Sequence, residues 1–240
     1  MKTVAIILAG GSGKRMGLDI PKQFITIFDK PILAYTLEAF QKHPMIDEIE
    51  VVCKEGWEDV LETYSKKYNI TKLNKIVKGG ETGQESIRNG VYALEGELKE
   101  GDLVVIHDGI RPILEEDVLT DVIKTAKEFG SAATSMPYNE QIFVKDKKNE
   151  TVTKKYIPRE TLRRVSTPQA YEFKKLDSAY HEAFNKKIGI YEGNYTNTMW
   201  VDLGNELHLA VGSEKNIKLT TREDLEIFKA LLKSQEKGIS

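Results

Sequence analysis

Glycines and cations cluster directly after the first apolar run of the chain. The stretch LAGGSGKRMGLDIPKQF (8–24) begins with three closely spaced glycines, which are Gly10, Gly11 and Gly13. Glycines let backbone N–H groups approach phosphate oxygens without a Cβ in the way. Arg15 and Lys22 would add positive charge where a phosphate becomes crowded and charged during transfer. The stretch therefore predicts a phosphate-binding loop at the end of a strand.

Three phosphate-loop templates can be compared with this stretch. The dinucleotide pattern G-x-G-x-x-G fails because the third glycine is one place late, at Gly17. The Walker A pattern fails because Leu8 takes its first glycine position and Arg15 its hydroxyl position. The pattern G-G-x-G-x-R-M followed by P-K matches in full at 10–16 and 21–22. It resembles the signature of nucleotidyltransferases that join a nucleoside triphosphate to a phosphorylated acceptor.

Short apolar runs alternate with amphipathic stretches over the first half of the chain. The runs predict strands at 3–9, 48–53, 75–78, 102–108 and 131–137. The amphipathic stretches predict helices at 31–43, 57–68, 83–95 and 115–130. This alternation predicts an α/β fold with a doubly wound, mostly parallel, Rossmann-like sheet. Ligands of such sheets bind beyond the carboxyl ends of the strands, so the chemistry is expected there.

The whole chain, 1–240, is predicted to form one domain with a projecting arm. The polar stretch 138–166 predicts a β-hairpin with its turn at 146–149. A closing helix is predicted at 222–234, with Thr221 as its cap and Asp224 in its third position. Gly130 is predicted to cap the helix before it.

Composition restricts the class of protein. The formal net charge is -2, which is too balanced for a dedicated nucleic-acid binder. A single cysteine, Cys53, cannot form a disulfide within the chain and fits a core position in a reducing compartment. The apolar run at the start is too short for a signal peptide or a membrane span. We therefore expect a cytoplasmic protein that binds no nucleic acid and no membrane.

Four further motifs follow the first one in a fixed order. They are GGETGQES (79–86), HDGIRP (107–112), PRETLRRVSTPQAY (158–171) and NIKLTTREDL (216–225). Together with the first loop they resemble the cytidylyltransferases that act on methylerythritol phosphate and on ribitol phosphate. The resemblance covers essentially the whole chain. It implies an enzyme that transfers CMP from CTP to a phosphorylated small acceptor and releases pyrophosphate, plausibly making a precursor of a cell-surface polymer.

The resemblance also implies a role for individual residues. Asp108 would bind Mg²⁺, whereas His107 beside it would be structural. The catalytic cations would be Arg15, Lys22 and Lys218. The nucleotide would contact Leu8, Ala9, Gly10, Gly11, Ser12, Gly13, Gly79, Gly80, Glu81, Ser86 and Gly109. The acceptor would contact Arg111, Thr167 and Arg159, and Arg159 would reach it from the arm of a neighbouring subunit, which implies a homodimer.

The sequence departs from the family pattern at three places. Gly83 stands where relatives usually carry arginine, and 139–141 and 196–198 replace motifs that would hold the acceptor's hydroxyl groups. We therefore expect an acceptor other than the standard one. The alternatives are the methylerythritol-phosphate enzyme of isoprenoid synthesis, an enzyme using UTP, dTTP or GTP, and an inactive nucleotide-binding regulator. The regulator is disfavoured because the charged positions of the motifs are intact.

Overall fold

The described part of the chain contains a seven-stranded sheet with helices on both faces. The structure, a computed structural model, describes residues 1–11, 20–191 and 195–236. The strands are β1 Thr3–Ala9, β2 Thr26–Ile27, β3 Lys30–Pro31, β4 Glu48–Cys53, β5 Leu73–Lys78, β6 Leu103–Asp108, β7 Ser131–Pro137, β8 Ile142–Lys145, β9 Thr153–Ile157, β10 Arg163–Glu172 and β11 His208–Val211. The helices are α1 Ile32–Lys42, α2 Glu58–Lys67, α3 Gly83–Ala93, α4 Glu116–Phe129, α5 Phe173–Lys186, α6 Thr196–Asp202 and α7 Arg222–Glu236, with short 3-10 turns at Lys22–Phe24 and Arg159–Thr161.

The strand order across the large sheet is β11-β7-β10-β6-β1-β4-β5. The pairs β1–β4, β1–β6, β4–β5 and β7–β11 are parallel. Strand β10 is antiparallel to both of its neighbours, β6 and β7. The doubly wound, mostly parallel α/β fold predicted from the sequence is therefore confirmed. The five predicted strands and the four predicted helices of the first half all form, with their ends shifted by two residues at most.

Both faces of the sheet are buried, which explains the unbroken apolar runs. One core contains alternate residues of β1 together with side chains of α1, α2 and α4, and the other contains the intervening residues with α3, α5 and α6. A third, smaller cluster packs α7 against α1. Cys53 lies in the first core, as predicted, and burial raises the pKa of its thiol to about 12.

The second half of the chain contains elements that the sequence did not predict. Strand β10 was read only as a motif, and α5, α6 and β11 were not assigned. Because β10 runs against its neighbours, its first residues lie at the edge where the parallel strands end: Gln169 pairs with Ile106, two residues before the end of β6. This reversal carries Thr167 to the carboxyl edge of the sheet.

A separate two-stranded hairpin is formed by β8 and β9. The backbone N–H of Asp146 donates to the carbonyl of Val152 at 2.9 Å and closes the turn. Phe143 and Tyr156 face each other with ring centroids 6.4 Å apart, and both side chains are exposed. The interpretation of 138–166 as a projecting arm that contacts a second subunit remains a prediction.

The predicted helix caps are present. Gly130 ends α4 with a φ of 88°, and its N–H donates to the carbonyl of Ala126 at 2.7 Å. At the start of α7, the Asp224 N–H donates to Thr221 Oγ1 at 3.2 Å, and Asp224 Oδ2 accepts from the Thr221 N–H at 2.7 Å. Within 1–11, 20–191 and 195–236, no helix is long and apolar enough to cross a membrane.

Candidate active site

A partly buried carboxylate at the end of β6, that of Asp108, lies at the centre of the site. Asp108 Oδ2 accepts a hydrogen bond from Arg111 Nε at 2.9 Å, and its Oδ1 accepts one from Lys218 Nζ at 3.1 Å. The Asp108 backbone N–H donates to Thr167 Oγ1 at 3.1 Å. The structure therefore brings together four residues that the sequence analysis assigned to metal, catalysis and acceptor, although they span 110 positions in the chain.

The charge of this carboxylate follows from its neighbours. Burial alone would raise the pKa of Asp108, but Lys218 and Arg111 outweigh it and lower the pKa to about 2. The carboxylate is therefore ionised at neutral pH, and it holds two cations at the edge of the sheet. An ionised carboxylate oxygen is the type of ligand that Mg²⁺ prefers. Asp108 thus has the charge and the position that the predicted metal role needs.

His107 next to it is held in the neutral form. Its side chain is buried, and its Nε2 lies 3.1 Å from the carbonyl oxygen of Arg111, to which it must donate. Burial lowers the pKa of His107 to about 4. This environment agrees with a structural role, since the ring fixes the turn that carries Arg111.

The segment 212–221 delivers Lys218 to the site. It leaves β11 with the Gly212 N–H donating to the Ser135 carbonyl at 3.0 Å. It then crosses β10, where Asn216 Nδ2 donates to the Thr167 carbonyl at 2.6 Å, and reaches the turn after β6, where the Leu219 N–H donates to the Ile110 carbonyl at 3.0 Å. These hydrogen bonds fix Lys218 from both sides.

The two predicted glycine loops lie against each other. A Cβ added to Gly10 would lie 3.6 Å from Ser86 Oγ and 3.8 Å from the Cα of Gly79. A Cβ added to Gly79 would lie 3.3 Å from the Cys53 carbonyl oxygen. The backbone segments after β1, β4 and β5 therefore approach one another closely; a side chain would fit at Gly10 but would be tight against backbone at Gly79. The first and second loops therefore form one surface made largely of backbone groups.

The second glycine loop is closed by hydrogen bonds at the start of α3. Ser86 Oγ accepts from the Gly80 N–H at 3.0 Å and donates to the Thr82 carbonyl at 2.9 Å. Glu85 Oε2 accepts from the backbone N–H groups of Glu81 and Thr82, and Thr82 Oγ1 accepts from the Glu85 N–H, which together complete a capping box. The loop is thus held in a defined conformation by its own helix cap.

Backbone contacts also join β1 to the turn after β6. The Gly109 N–H donates to the Leu8 carbonyl at 2.9 Å, and a Cβ on Gly109 would lie only 2.9 Å from the same oxygen. Gln23, which is buried, donates through Nε2 to the carbonyls of Ala9, at 2.5 Å, and Gly11, at 3.1 Å. The loop that follows β1 is therefore tied to the 3-10 turn that begins at Lys22.

Some predicted site residues are not placed with Asp108. Ser12, Gly13 and Arg15 lie outside the described residues. Arg159 lies in the 3-10 turn between the hairpin and β10, where its Nη1 donates to the Asn139 carbonyl at 3.2 Å. Its proposed contact with the acceptor of another subunit remains a prediction.

Three residues near the site were missed by the sequence analysis. Gln23 directly follows the P-K motif at 21–22, and this position is the signal that could have found it. Asn216 begins the NIKL motif, and it is buried with an Oδ1 that has no hydrogen-bond partner within the described ranges. Tyr195 places its ring 5.6 Å from Lys218 Nζ, and nothing in its sequence context indicates this contact.

A second group of possible metal ligands lies away from this edge. Glu95, Asp177 and His181 place their ligand atoms within 4.8 Å of one another among the residues described. His181 Nε2 lies 3.0 Å from Glu95 Oε1, so a hydrogen bond accounts for this pair, and the ring stacks on Tyr92. The geometry gives this histidine a hydrogen-bonding role at the surface.

Comparisons with known proteins agree with this geometry. A model of the family described as IspD, 2-C-methyl-D-erythritol 4-phosphate cytidylyltransferase, matches residues 3–234. A ribitol-5-phosphate cytidylyltransferase of Lacticaseibacillus paracasei is 55% identical over 97% of this chain and 98% of its own. A 2-C-methyl-D-erythritol 4-phosphate cytidylyltransferase of Clostridium tetani is 38% identical over 93% of this chain and 87% of its own.

Solved structures share the fold. The crystal structure of the 2-C-methyl-D-erythritol 4-phosphate cytidylyltransferase of Francisella tularensis superposes with a TM-score of 0.77 at 26% identity, covering 96% of this chain and 99% of that one. The 4-diphosphocytidyl-2C-methyl-D-erythritol synthase of Anaerococcus prevotii gives a TM-score of 0.81 at 24% identity, covering 97% and 98% of the two chains.

Proposed function

The chain belongs to the IspD family of cytidylyltransferases, and we propose that it transfers CMP from CTP to ribitol 5-phosphate. The observation that supports this acceptor is the relative named ribitol-5-phosphate cytidylyltransferase, which is 55% identical along nearly the whole chain. This similarity outweighs the departures at 139–141 and 196–198, from which the sequence analysis expected a non-standard acceptor. The relative named for methylerythritol phosphate is less similar, at 38%. The product would be a CDP-linked polyol, which is the type of activated unit that feeds cell-surface polymers.

The reaction is a single in-line displacement. An oxygen of the acceptor's phosphate attacks the α-phosphorus of CTP, the bond between the α-phosphorus and the bridging oxygen breaks, and pyrophosphate leaves with that bond's electron pair. No covalent enzyme intermediate is needed, so catalysis comes from positioning and charge. Lys218 and Arg111 supply positive charge next to Asp108, at the edge where the glycine loops lie.

Asp108 is the residue that fits a magnesium ion. It is ionised, it lies at the carboxyl edge of the sheet, and its oxygens face cations rather than backbone carbonyls. A bound Mg²⁺ would neutralise the phosphates of the nucleotide and hold them for displacement. Lys218 and Arg111, which pair with Asp108, would supply the positive charge that meets the acceptor's phosphate.

We further propose that the enzyme works in the cytoplasm as a homodimer joined through the arm 138–166. Exposed Phe143 and Tyr156 on the hairpin support an interface there. Arg159 at the base of the arm would complete the acceptor site of the other subunit. Mixing Arg159→Ala with Lys218→Met would then restore about a quarter of the wild-type activity, because half of the dimers are mixed and each contains one complete site. Additive, near-zero activity in the mixture would contradict the shared site.

Pyrophosphate release tests the proposed function. The assay contains Mg²⁺ and CTP with ribitol 5-phosphate, methylerythritol 4-phosphate or a panel of other polyol and sugar phosphates, with UTP, ATP and GTP as controls. We expect fast release only with CTP and ribitol 5-phosphate, and loss of activity with EDTA that Mg²⁺ restores. Faster release with methylerythritol phosphate would assign the isoprenoid enzyme instead. Binding of CTP without release for any acceptor would indicate the inactive regulator.

A further inference from the structure

Three buried side chains connect the start of α3 to the chain before α6. Tyr180 of α5 places its Oη 3.0 Å from Gln84 Oε1 and 2.8 Å from Thr196 Oγ1. Gln84 Nε2 lies 2.9 Å from the carbonyl oxygen of Gly189. The set therefore contacts Gly189 at one end of the connection 190–195 and Thr196 at its other end.

The direction of every proton in this set follows from its chemistry. The Gly189 carbonyl can only accept, so Gln84 must present its amide nitrogen there and its oxygen to Tyr180. The single hydroxyl proton of Tyr180 is therefore donated to Gln84, and the hydroxyl of Thr196 donates to Tyr180 Oη. The hydrogen bonds form one continuous chain, in which each hydroxyl has a single role.

Burial makes each of these bonds costly to lose. The exposed fractions of Gln84, Tyr180 and Thr196 are 2%, 0% and 1%. A buried polar group that loses its partner has no water to replace it. Burial also raises the pKa of Tyr180 well above its ordinary value, so the hydroxyl keeps its proton throughout the physiological range. The network is thus a fixed structural contact at any working pH.

The two ends of the network lead to the two halves of the candidate site. Gln84 lies in the first turn of α3, directly after the second glycine loop. Thr196 begins α6, and the preceding residue, Tyr195, places its ring 5.6 Å from Lys218 Nζ, which pairs with Asp108. The hydrogen bonds therefore link the predicted nucleotide loop to the segment that borders Lys218.

The position of Gly189 strengthens this link. Its φ is 62°, and a Cβ there would lie 2.6 Å from the Cα of Met199 in α6. The backbone at Gly189 consequently passes against α6 in a conformation that favours glycine. Its carbonyl can reach Gln84 only while α6 stays in place.

We propose that Tyr180 is a positioning residue for the acceptor, which acts by holding Gly189 and Thr196 against the start of α3. This inference rests on the proposed function. With Thr196 held, its neighbour Tyr195 keeps its place beside Lys218, so the bound acceptor's phosphate meets the α-phosphorus. A phenylalanine at 180 would fill the same space in the core, so losing the hydroxyl weakens the network without removing the packing.

The test is Tyr180→Phe, which keeps the ring and removes the hydroxyl. We expect the KM for ribitol 5-phosphate to rise about tenfold while the KM for CTP stays within about twofold, since loss of one or two buried hydrogen bonds is of that size. Gln84→Leu is expected to raise the acceptor KM similarly. The double variant is expected to be no worse than either single one, because both changes break the same chain.

Tyr171→Phe is the matched control. Tyr171 is equally buried, its hydroxyl donates to Gln169 Oε1 at 3.0 Å, and none of the network contacts involve it. We expect it to lower the melting temperature about as much as Tyr180→Phe does, with the acceptor KM unchanged. An acceptor KM that is unchanged in Tyr180→Phe, or raised equally in both variants, would overturn the proposal.

Hydrogen–deuterium exchange gives a readout that does not depend on the substrate. Peptides covering 189–199 and 79–86 are expected to exchange faster in Tyr180→Phe than in wild type or in Tyr171→Phe. If wild type releases no pyrophosphate with ribitol 5-phosphate, the proposed function fails. The exchange experiment then tests the positioning role of Tyr180 on its own. Unchanged exchange in both peptides would overturn that role.

Discussion

Two carboxyl groups in the sheet, one partly buried and one fully buried, have opposite charge states. Asp108 at the end of β6 pairs with Arg111 and Lys218, and its pKa is lowered to about 2. Glu50 in the middle of β4 is 1% exposed, and neither of its oxygens has a hydrogen-bond partner among the residues described. Burial raises the pKa of Glu50 to about 8, although Lys75 acts against this shift. At neutral pH, Asp108 is ionised and Glu50 is mostly neutral.

The difference shows that position in the sheet decides what a buried carboxyl does. At the carboxyl edge, loops from different strands can bring cations to the group, and the charge becomes available for catalysis. In the middle of a strand, the group meets only its neighbours in the sheet and the helix above it. Ionisation of Glu50 is therefore expected to cost stability, whereas loss of the Asp108 carboxylate is expected to cost activity.

The largest expected effect comes from changing each carboxyl to its amide. Asp108→Asn should lower kcat/KM at least about 1,000-fold, because it removes the charge that holds Lys218 and Arg111 and would bind the metal. Glu50→Gln should leave kcat/KM within about twofold. Steady-state pyrophosphate release at neutral pH measures both. Comparable losses of kcat/KM in the two variants would contradict the proposed difference between Asp108 and Glu50.

A somewhat smaller effect is expected from one of the cations. Lys218→Met should lower kcat/KM about 100- to 1,000-fold, since it removes a charge next to the reacting phosphates but keeps Arg111 beside Asp108. Lys215→Met is the matched control. Lys215 lies in the same segment as Lys218, 212–221, but pairs with Glu115 at the protein surface. Single-turnover kinetics of Lys218→Met test this. Near-normal activity would mean that another residue supplies the catalytic positive charge.

The pH dependence of the free energy of unfolding should reveal the raised pKa of Glu50. Its pKa is raised on folding, so its favourable contribution is complete below the unfolded-state value of 4.5 and is lost as the pH rises towards 8. Wild type should lose up to about 1.4 kcal/mol per pH unit relative to Glu50→Gln in this range. The difference between the two proteins is the quantity to follow, because His107 acts in the opposite direction below its ordinary pKa. Urea unfolding at pH 5, 6, 7 and 8 gives the four values, and parallel curves would contradict the assignment.

The smallest expected effect concerns a glycine that contacts Glu50. A Cβ on Gly90 would lie 2.9 Å from Glu50 Oε1 and 2.9 Å from Val52 Cγ2, whereas a Cβ on Gly83 of the same helix meets nothing within 4 Å. Gly90→Ala should lower the free energy of unfolding by about 1–2 kcal/mol, since the clash exceeds the gain in helix propensity. Gly83→Ala should raise it by up to about 1 kcal/mol. Thermal unfolding of both variants measures these changes. A loss of stability in Gly83→Ala would contradict the finding that a side chain at Gly83 meets no neighbouring atom.

Much of the first half of the fold could be predicted because its strands are buried on both faces. Their sequences are unbroken apolar runs, and the helices between them show clear periodicity. Strand β10 lacks this signal, since its first three residues are Arg163, Arg164 and Val165 and a proline follows. Helix α5 has apolar residues at helical spacing, so it could have been predicted from the sequence. Strand β11 has only four residues, which is too short for a clear pattern.

The candidate site was predictable where type and spacing carry the chemistry. The glycine loops, Asp108 and Lys218 lie in recognisable motifs, and the structure brings the described ones to one edge. The contacts of Gln23 and Tyr195 depend on how distant segments pack, which no local pattern encodes. The neutral state of Glu50 could not be read either, because an isolated glutamate between apolar residues carries no sign of its missing partners.

Strand β6 is the middle strand of the sheet, with three strands on each side. The predicted nucleotide loops follow β1 and β5 on one side, and Thr167 and Lys218 come from β10 and from the segment after β11 on the other. The second side, with the hairpin, α5 and α6, is encoded by one uninterrupted stretch, 131–221. Although this side is contiguous in the sequence, its buried hydrogen bond from Tyr180 to Gln84 joins it to the nucleotide side, so a change of acceptor by recombination would have to keep both partners of that contact.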